Sequence, residues 1–127
     1  MDGLTVVKVR DCVPVLFAEE NISGVILPQS DSASSSIGII APGATQTLHH
    51  HKRPDSGDEI IFTFKGSIVI VTANGASEVM DVGQIGPVYV SVKSGMAASL
   101  RNVGEGDARF FSVFAPPFSP GEIVYEQ

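Results

Sequence analysis

The histidines of this protein are concentrated in one place. All three stand together as His49, His50 and His51, and Glu59 follows after seven further residues. On an extended strand, residues two apart share a face and lie roughly 6.5 Å apart, so His49 and His51 point the same way and His50 the other. Two imidazoles and one carboxylate form a ligand set that suits Fe(II), with Mn, Ni, Co and Zn as competitors. The spacing indicates one divalent metal held by His49, His51 and Glu59, although the triplet alone also fits a solvated loop.

The segment that begins at Glu59 alternates like a strand. One face carries Glu59, Ile61 and Thr63, and the other carries Ile60, Phe62 and Phe64. We expect this strand to be the hairpin partner of the histidine strand, so that Glu59 faces the same cavity as the two imidazoles.

The rest of the chain is a series of short β-branched or aromatic runs. Turn-forming residues separate them, and almost no segment keeps a helical apolar period. The expected strands cover residues 4–9, 23–27, 37–40, 59–64, 67–72, 88–92, 97–100 and 109–114. This pattern predicts an all-β fold, either a closed barrel or a two-sheet jelly roll, in one domain over residues 1–127. Lys65-Gly66 and Asn74-Gly75 predict two successive hairpins, and the Ser-rich residues 29–36 predict an exposed loop.

The anchor residues around the histidines resemble a known family. Their order is similar to the first motif of the cupin superfamily: Gly43, five residues, His49-His50-His51, a spacer, Glu59, six residues and Gly66. The resemblance runs from about residue 36 to the C-terminus and includes the Pro120-Gly121-Glu122 tail. It implies a cupin-type jelly-roll β-barrel, also called a double-stranded β-helix. The family it implies contains dioxygenases, isomerases, lyases, cyclases and decarboxylases as well as non-catalytic binders.

The sequence departs from the family pattern in two places. Seven residues, Lys52 to Asp58, separate His51 from Glu59 where the family has three or four, and this longer loop is a candidate lid. The second motif keeps Gly95 and Asn102 but has Ala98 where the family has its third histidine ligand. Three ligands either leave a metal more open positions for substrate or O2, or bind too weakly and leave a metal-free binding site.

A cupin barrel predicts which side chains line the cavity. Alternation places an apolar lining beside the metal, which suits a small hydrophobic or aromatic substrate that chelates the ion, although the same side chains also fit an ordinary filled core. The expected lining is Thr45, Thr47, Ile61, Thr63, Val69, Met96, Ala98 and Leu100.

These residues support three functional hypotheses. The first is a metal-dependent enzyme of small-molecule metabolism, with Fe(II)-dependent dioxygenation slightly ahead of a redox-neutral lyase, isomerase or cyclase reaction, and with Glu59 as a possible catalytic group. The second is a non-catalytic cupin that binds a small molecule or sugar. The third is a structural β-protein with a polyhistidine surface loop.

Composition limits the partners. The chain has 127 residues, a formal charge of -6 and eight scattered basic residues, which disfavours nucleic acid and anionic membranes. The single Cys12 excludes an intramolecular disulfide, and no signal segment or long apolar run is present. We expect a cytoplasmic protein. The family resemblance also implies a homodimer, and residues 4–9 with the outward Phe62 and Phe64 fit its interface, although these phenylalanines fit equally well under the N-terminal arm of their own chain.

Overall fold

The computed structural model describes residues 3–53 and 57–126, which fold almost entirely as short β-strands. The strands are β1 Val15–Phe17, β2 Ile22–Ile26, β3 Ser34–Ile40, β4 His49–His51, β5 Glu59–Lys65, β6 Ser67–Thr72, β7 Gly75–Ala76, β8 Met80–Asp81, β9 Val88–Val92, β10 Ala98–Asn102, β11 Ala108–Phe114 and β12 Ile123–Tyr125. One short helix, α1, spans Val82–Ile85. The all-β prediction is therefore confirmed.

Two antiparallel sheets enclose the core. The first has the order β1-β2-β3-β11-β5-β9, and the second has the order β12-β4-β10-β6-β7 with β8 beside β6. Ile40, Ile61 and Phe110 of the first sheet meet Ile68 and Leu100 of the second in one buried apolar cluster. Burying this apolar surface between the sheets is the main force that holds them together.

One of the two predicted hairpins is present. Thr72 pairs with Gly75 across a two-residue turn at Ala73 and Asn74, so the second predicted hairpin is present with its turn one residue earlier than the Asn74-Gly75 pair. The prediction of a hairpin at Lys65-Gly66 is wrong, because β5 belongs to the first sheet and β6 to the second. Gly66 makes this crossing with φ +102°, and a Cβ atom there would lie 2.8 Å from Ala108 Cα. A corner between sheets and a hairpin both use glycine, so the local sequence does not distinguish them.

The predicted pairing of the histidine strand is also wrong. β4 pairs with β10 and β12, whereas β5 pairs with β9 and β11. The histidines and Glu59 therefore approach each other from opposite sheets. The alternation predicted along β5 is confirmed, with Glu59, Ile61 and Thr63 buried and Phe62 and Phe64 exposed on the other face.

Two further segments differ from the prediction. Ser34, Ser35 and Ser36 begin β3 instead of forming a loop, because they pair with the end of β11. Residues 4–8 form no strand, and Val9–Asp11 is a short 3-10 helix. Part of the proposed lid, residues 54–56, lies outside the described residues. Within those described, no helix has the length and apolarity needed to cross a membrane.

Candidate metal centre

The three predicted ligands lie together between the two sheets. Nitrogens of His49 and His51 and a carboxylate oxygen of Glu59 all lie within 4.8 Å of one another. The exposed fractions of these residues are 5%, 6% and 8%. His50, between the two buried rings, points outward and contacts Glu126. This is a candidate site for one metal ion with two imidazole ligands and one carboxylate.

Each buried imidazole is oriented through its Nδ1 atom. His49 Nδ1 lies 2.7 Å from the carbonyl oxygen of Thr47, which can only accept a hydrogen bond. His51 Nδ1 lies 3.0 Å from Glu122 Oε2. In the neutral rings both Nε2 atoms therefore carry a free lone pair, and His51 Nε2 is buried with no hydrogen-bond partner. An unpartnered lone pair of this kind fits a metal ligand.

Glu122 holds His51 through a buried ionic network that the sequence did not reveal. Its Oε1 atom accepts from Arg53 Nη1 at 2.7 Å and from the backbone N–H of Ser119 at 2.8 Å. The Arg53 guanidinium also donates to the Pro116 carbonyl, and the Arg53 side chain is completely buried. Glu122 belongs to the C-terminal tail that is typical of small cupins, but nothing local indicates that it contacts His51, 71 residues away along the chain.

Burial also sets the charges of the site. It lowers the pKa of His51 to about 4, and the neighbouring His49 contributes to this shift. It raises the pKa of Glu59 to about 8, and the carboxylate of Glu20 adds to the effect. Both shifts disfavour the charged forms of the groups. A divalent cation offsets the cost of ionising Glu59 and binds neutral imidazole, so these residues fit a metal.

Glu20 is a second residue that the sequence did not indicate. Its Oε1 atom lies 3.6 Å from His49 Nε2. Burial raises the pKa of Glu20, while His49 opposes this shift. Glu20 ends a short 3-10 helix, Ala18–Glu20, which follows β1, and no metal-ligand spacing connects it to the histidines. Tertiary packing alone brings it to the site.

Position 98 lies beside the candidate ligands, as the second motif predicts. Ala98 of β10 is the cross-strand partner of His49. The alanine methyl group offers no ligand atom. Asn102 has a structural role. Its side chain donates hydrogen bonds to the carbonyl oxygens of Ile40 and Gly106 and accepts one from the N–H of Gly104.

A cavity of about 400 Å³ opens beside the candidate centre. His51 and Glu59 lie in its wall together with Glu20 and Gln46. Aromatic, aliphatic and hydroxyl-bearing side chains form most of the remaining wall: Phe17, Phe110, Phe114, Phe118 and Tyr125, then Ile22, Ile26, Leu27 and Ile123, and then Ser34, Ser35, Ser36 and Ser112. The Ser-rich segment thus contributes to the cavity instead of an exposed loop.

The predicted lining residues divide into two groups. Four of them, together with the three candidate ligands, line a second cavity of about 20 Å³ on the other side of the site: Ile61, Met96, Ala98 and Leu100. The other four line neither cavity: Thr45, Thr47, Thr63 and Val69.

Broken strand alternation explains two of these four residues. Residues 46–48 are not part of a strand, so the side-chain alternation counted back from His49 is lost and Gln46 is buried instead of Thr45 and Thr47. On β6, Ile70 pairs with Leu100 of β10, and both side chains point inward. The neighbouring Val69 therefore points to the opposite face of the sheet. Thr63 is buried beyond the cavity, at 1% exposure.

Solved structures share this architecture. The polyketide cyclase RemF from Streptomyces resistomycificus has a TM-score of 0.78 at 14% identity, covering 98% of this chain and 86% of the cyclase. A cupin-superfamily sugar phosphate isomerase from Silicibacter pomeroyi has a TM-score of 0.71 at 16% identity, covering 97% and 82%. The protein has the cupin fold. A predicted oxalate decarboxylase from Thermotoga maritima matches this chain with a TM-score of 0.69 at 16% identity, covering 96% and 100%.

Sequence comparison is less informative for this chain than structural comparison. No protein-family model matches the chain. Over 101 residues it is 31% identical to a protein named endoribonuclease YbeY from Myxococcus xanthus (strain DK1622), a match that covers 80% of this chain and 31% of that relative. The chain thus spans about a third of the relative's length, and the ribonuclease name describes the longer protein.

Proposed function

We propose that this cupin is a metal-dependent enzyme that acts on a small, partly aromatic substrate chelated to the metal through oxygen. The observation that carries the proposal is the unpartnered Nε2 of His51, buried beside Glu59 in the wall of the large cavity. His49, His51 and Glu59 would hold the ion. When bound, a divalent ion supplies Lewis acidity and, as Fe(II), a site for O2 activation.

The cavity walls favour a planar substrate with a polar edge. The ring of His51 lies 5.1 Å from that of Phe114 and 6.0 Å from that of Phe118, measured between centroids. Aromatic faces of this kind stack on a planar ligand and exclude water from the site. Ser36 of β3 pairs with the buried Ser112 of β11, and both residues line the same cavity, so their hydroxyl groups can bind polar substituents.

Dioxygenation is the reaction type that we place first. Two imidazoles and one carboxylate leave an octahedral ion with positions for both substrate and O2. A redox-neutral lyase, isomerase or cyclase reaction would use the same ligands and the same cavity without O2. Turnover under strict exclusion of O2 separates the two, because only dioxygenation stops.

The first test is elemental analysis of protein purified without an affinity tag or added metal. We expect near-stoichiometric metal in the parent protein and its loss in the His49→Ala, His51→Ala and Glu59→Ala variants. His50→Ala is the matched control, since His50 points outward and should leave the metal content unchanged. Absence of metal in the parent, with no uptake of Fe(II), Mn(II), Ni(II) or Zn(II), would overturn the proposal in favour of a metal-free binding cupin.

A second measurement addresses the substrate class. Nitrocatechol is a planar aromatic chelator whose visible absorption changes when its oxygens bind a metal. We expect this change with the metal-loaded parent but not with the His51→Ala variant. A chelator that binds both proteins equally would contradict substrate binding at the metal.

A further inference from the structure

Glu20 faces His49 in a geometry that fits a cation between them. His49 Nδ1 donates to the Thr47 carbonyl, so Nε2 of the neutral ring has no proton to give. Glu20 Oε1 lies 3.6 Å from this Nε2, which is too far for a good hydrogen bond and places two acceptors face to face. Opposed acceptors in a largely buried site are unfavourable unless a positive charge separates them.

The same arrangement recurs at the other histidine. His51 Nδ1 is bonded to Glu122, and His51 Nε2 lies 3.6 Å from Glu59 Oε1. If one metal bound both atoms at about 2.0–2.2 Å, the nitrogen and the oxygen could lie 3.6 Å apart at an ordinary ligand–metal–ligand angle. The His49–Glu20 pair thus repeats the spacing of the His51–Glu59 pair, whose two residues are both predicted ligands.

The backbone fixes Glu20 in this position. Its carbonyl accepts from the N–H of Thr47 at 2.9 Å, and the side chain of the following Asn21 donates to the Thr45 carbonyl at 3.0 Å. Asn21 has φ +59°, a left-handed conformation that Asn tolerates and that ends the 3-10 helix immediately after Glu20. Glu20 is therefore tied to the segment that leads into β4.

We propose that Glu20 is the fourth protein ligand of the metal and replaces the imidazole that position 98 lacks. This inference rests on the proposed function, since it assumes that the His49, His51 and Glu59 site binds metal. Ala98 lies next to His49 on one side, and Glu20 approaches the same ring from the N-terminal segment. The two carboxylates would neutralise the charge of a divalent ion. Four protein ligands would leave two positions of a six-coordinate ion, enough for a chelating substrate alone or for a substrate bound through one oxygen together with O2.

The test uses Co(II) as the probe, because its visible spectrum reports the number and type of its ligands. In the 127-residue chain we expect Glu20→Ala to bind Co(II) about ten-fold more weakly or worse and to shift the absorption bands. Glu19→Gln is the matched control, since Glu19 is the exposed neighbour in the same cavity wall and should bind like the parent. Circular dichroism and thermal unfolding establish that each variant is folded.

A second variant tests whether the missing ligand is the cause. Ala98→His combined with Glu20→Ala returns an imidazole to the motif position, and we expect it to recover most of the lost Co(II) affinity with a spectrum richer in nitrogen ligation. Parent-like affinity and spectrum in Glu20→Ala, alongside loss of Co(II) in His49→Ala, would overturn the role of Glu20 and leave the metal site intact. A parent protein that binds no Co(II) would overturn the metal site and this inference together.

Discussion

At the scale of residues, the orientation of each buried imidazole in the candidate centre depends on the hydrogen-bond partner of its Nδ1 atom. A backbone carbonyl orients His49, whereas a carboxylate orients His51. The carboxylate of Glu122 is itself held by Arg53, whose guanidinium lies 5.1 Å above the Phe114 ring. Partners of this kind fix the tautomer and raise the basicity of a ligating imidazole. Glu122 is therefore a positioning residue for the proposed metal ligand His51.

Replacing Glu122 by Gln should weaken both the metal site and the fold. The change leaves the buried Arg53 without a charged partner, and breaking a buried pair of this kind costs about 3–5 kcal/mol of unfolding free energy. Losing the carboxylate behind His51 should lower metal affinity about 10–100-fold. Chemical denaturation and Co(II) titration measure the two effects. Glu126→Gln, at the more exposed His50, is the control, and equal stability and affinity in both variants would refute this role for Glu122.

At the scale of elements, the glycine at position 38 of β3 makes room for one aromatic ring of the core. Gly24 on β2 pairs with Gly38 on β3, and Gly38 pairs with Phe110 on β11. A Cβ atom at position 38 would lie 2.1 Å from Phe110 Cζ. The ring therefore lies directly over the glycine backbone, and it also forms part of the wall of the large cavity.

Gly38→Ala should displace the Phe110 ring. Overpacking of this kind costs about 1–3 kcal/mol of unfolding free energy, and the displaced ring should reduce the space available to an aromatic ligand. Denaturant unfolding and nitrocatechol binding report the two effects. A Cβ atom at position 106 meets no neighbour within 4 Å, so Gly106→Ala serves as the control. Equal stability of the two variants would show that the core adjusts without cost.

At the scale of the whole molecule, the proposed metal connects β4 and β5, which belong to different sheets and do not pair with each other. Its candidate ligands come from β4 of one sheet and β5 of the other, and Glu20 comes from the N-terminal segment. An ion bound there closes the two sheets on each other. Exposed apolar side chains remain on residues 4–9, with Leu4 at 55% and Val6 at 73%, and the homodimer expected through this segment stays a prediction.

Metal binding should therefore stabilise the folded protein. A ligand present at 100 times its dissociation constant adds about 2.7 kcal/mol when it binds only the folded state. For a chain of this size, that corresponds to a rise in Tm of about 10 °C. Differential scanning calorimetry with and without Co(II) measures the rise, and His51→Ala should abolish it. An identical Tm at saturating Co(II) would contradict a site that joins the sheets.

Local sequence patterns by themselves determined most of the longer strands, the inward face of β5 and the candidate set of His49, His51 and Glu59, because strand alternation and ligand chemistry are short-range properties. Only the tertiary structure decided which sheet each strand joins, since a Gly turn serves a hairpin and a corner equally well. It also decided that Glu20 and Glu122 meet the histidines and that Ser34 to Ser36 line a cavity. Those contacts arise when distant strands pack on one core, and no local period encodes them.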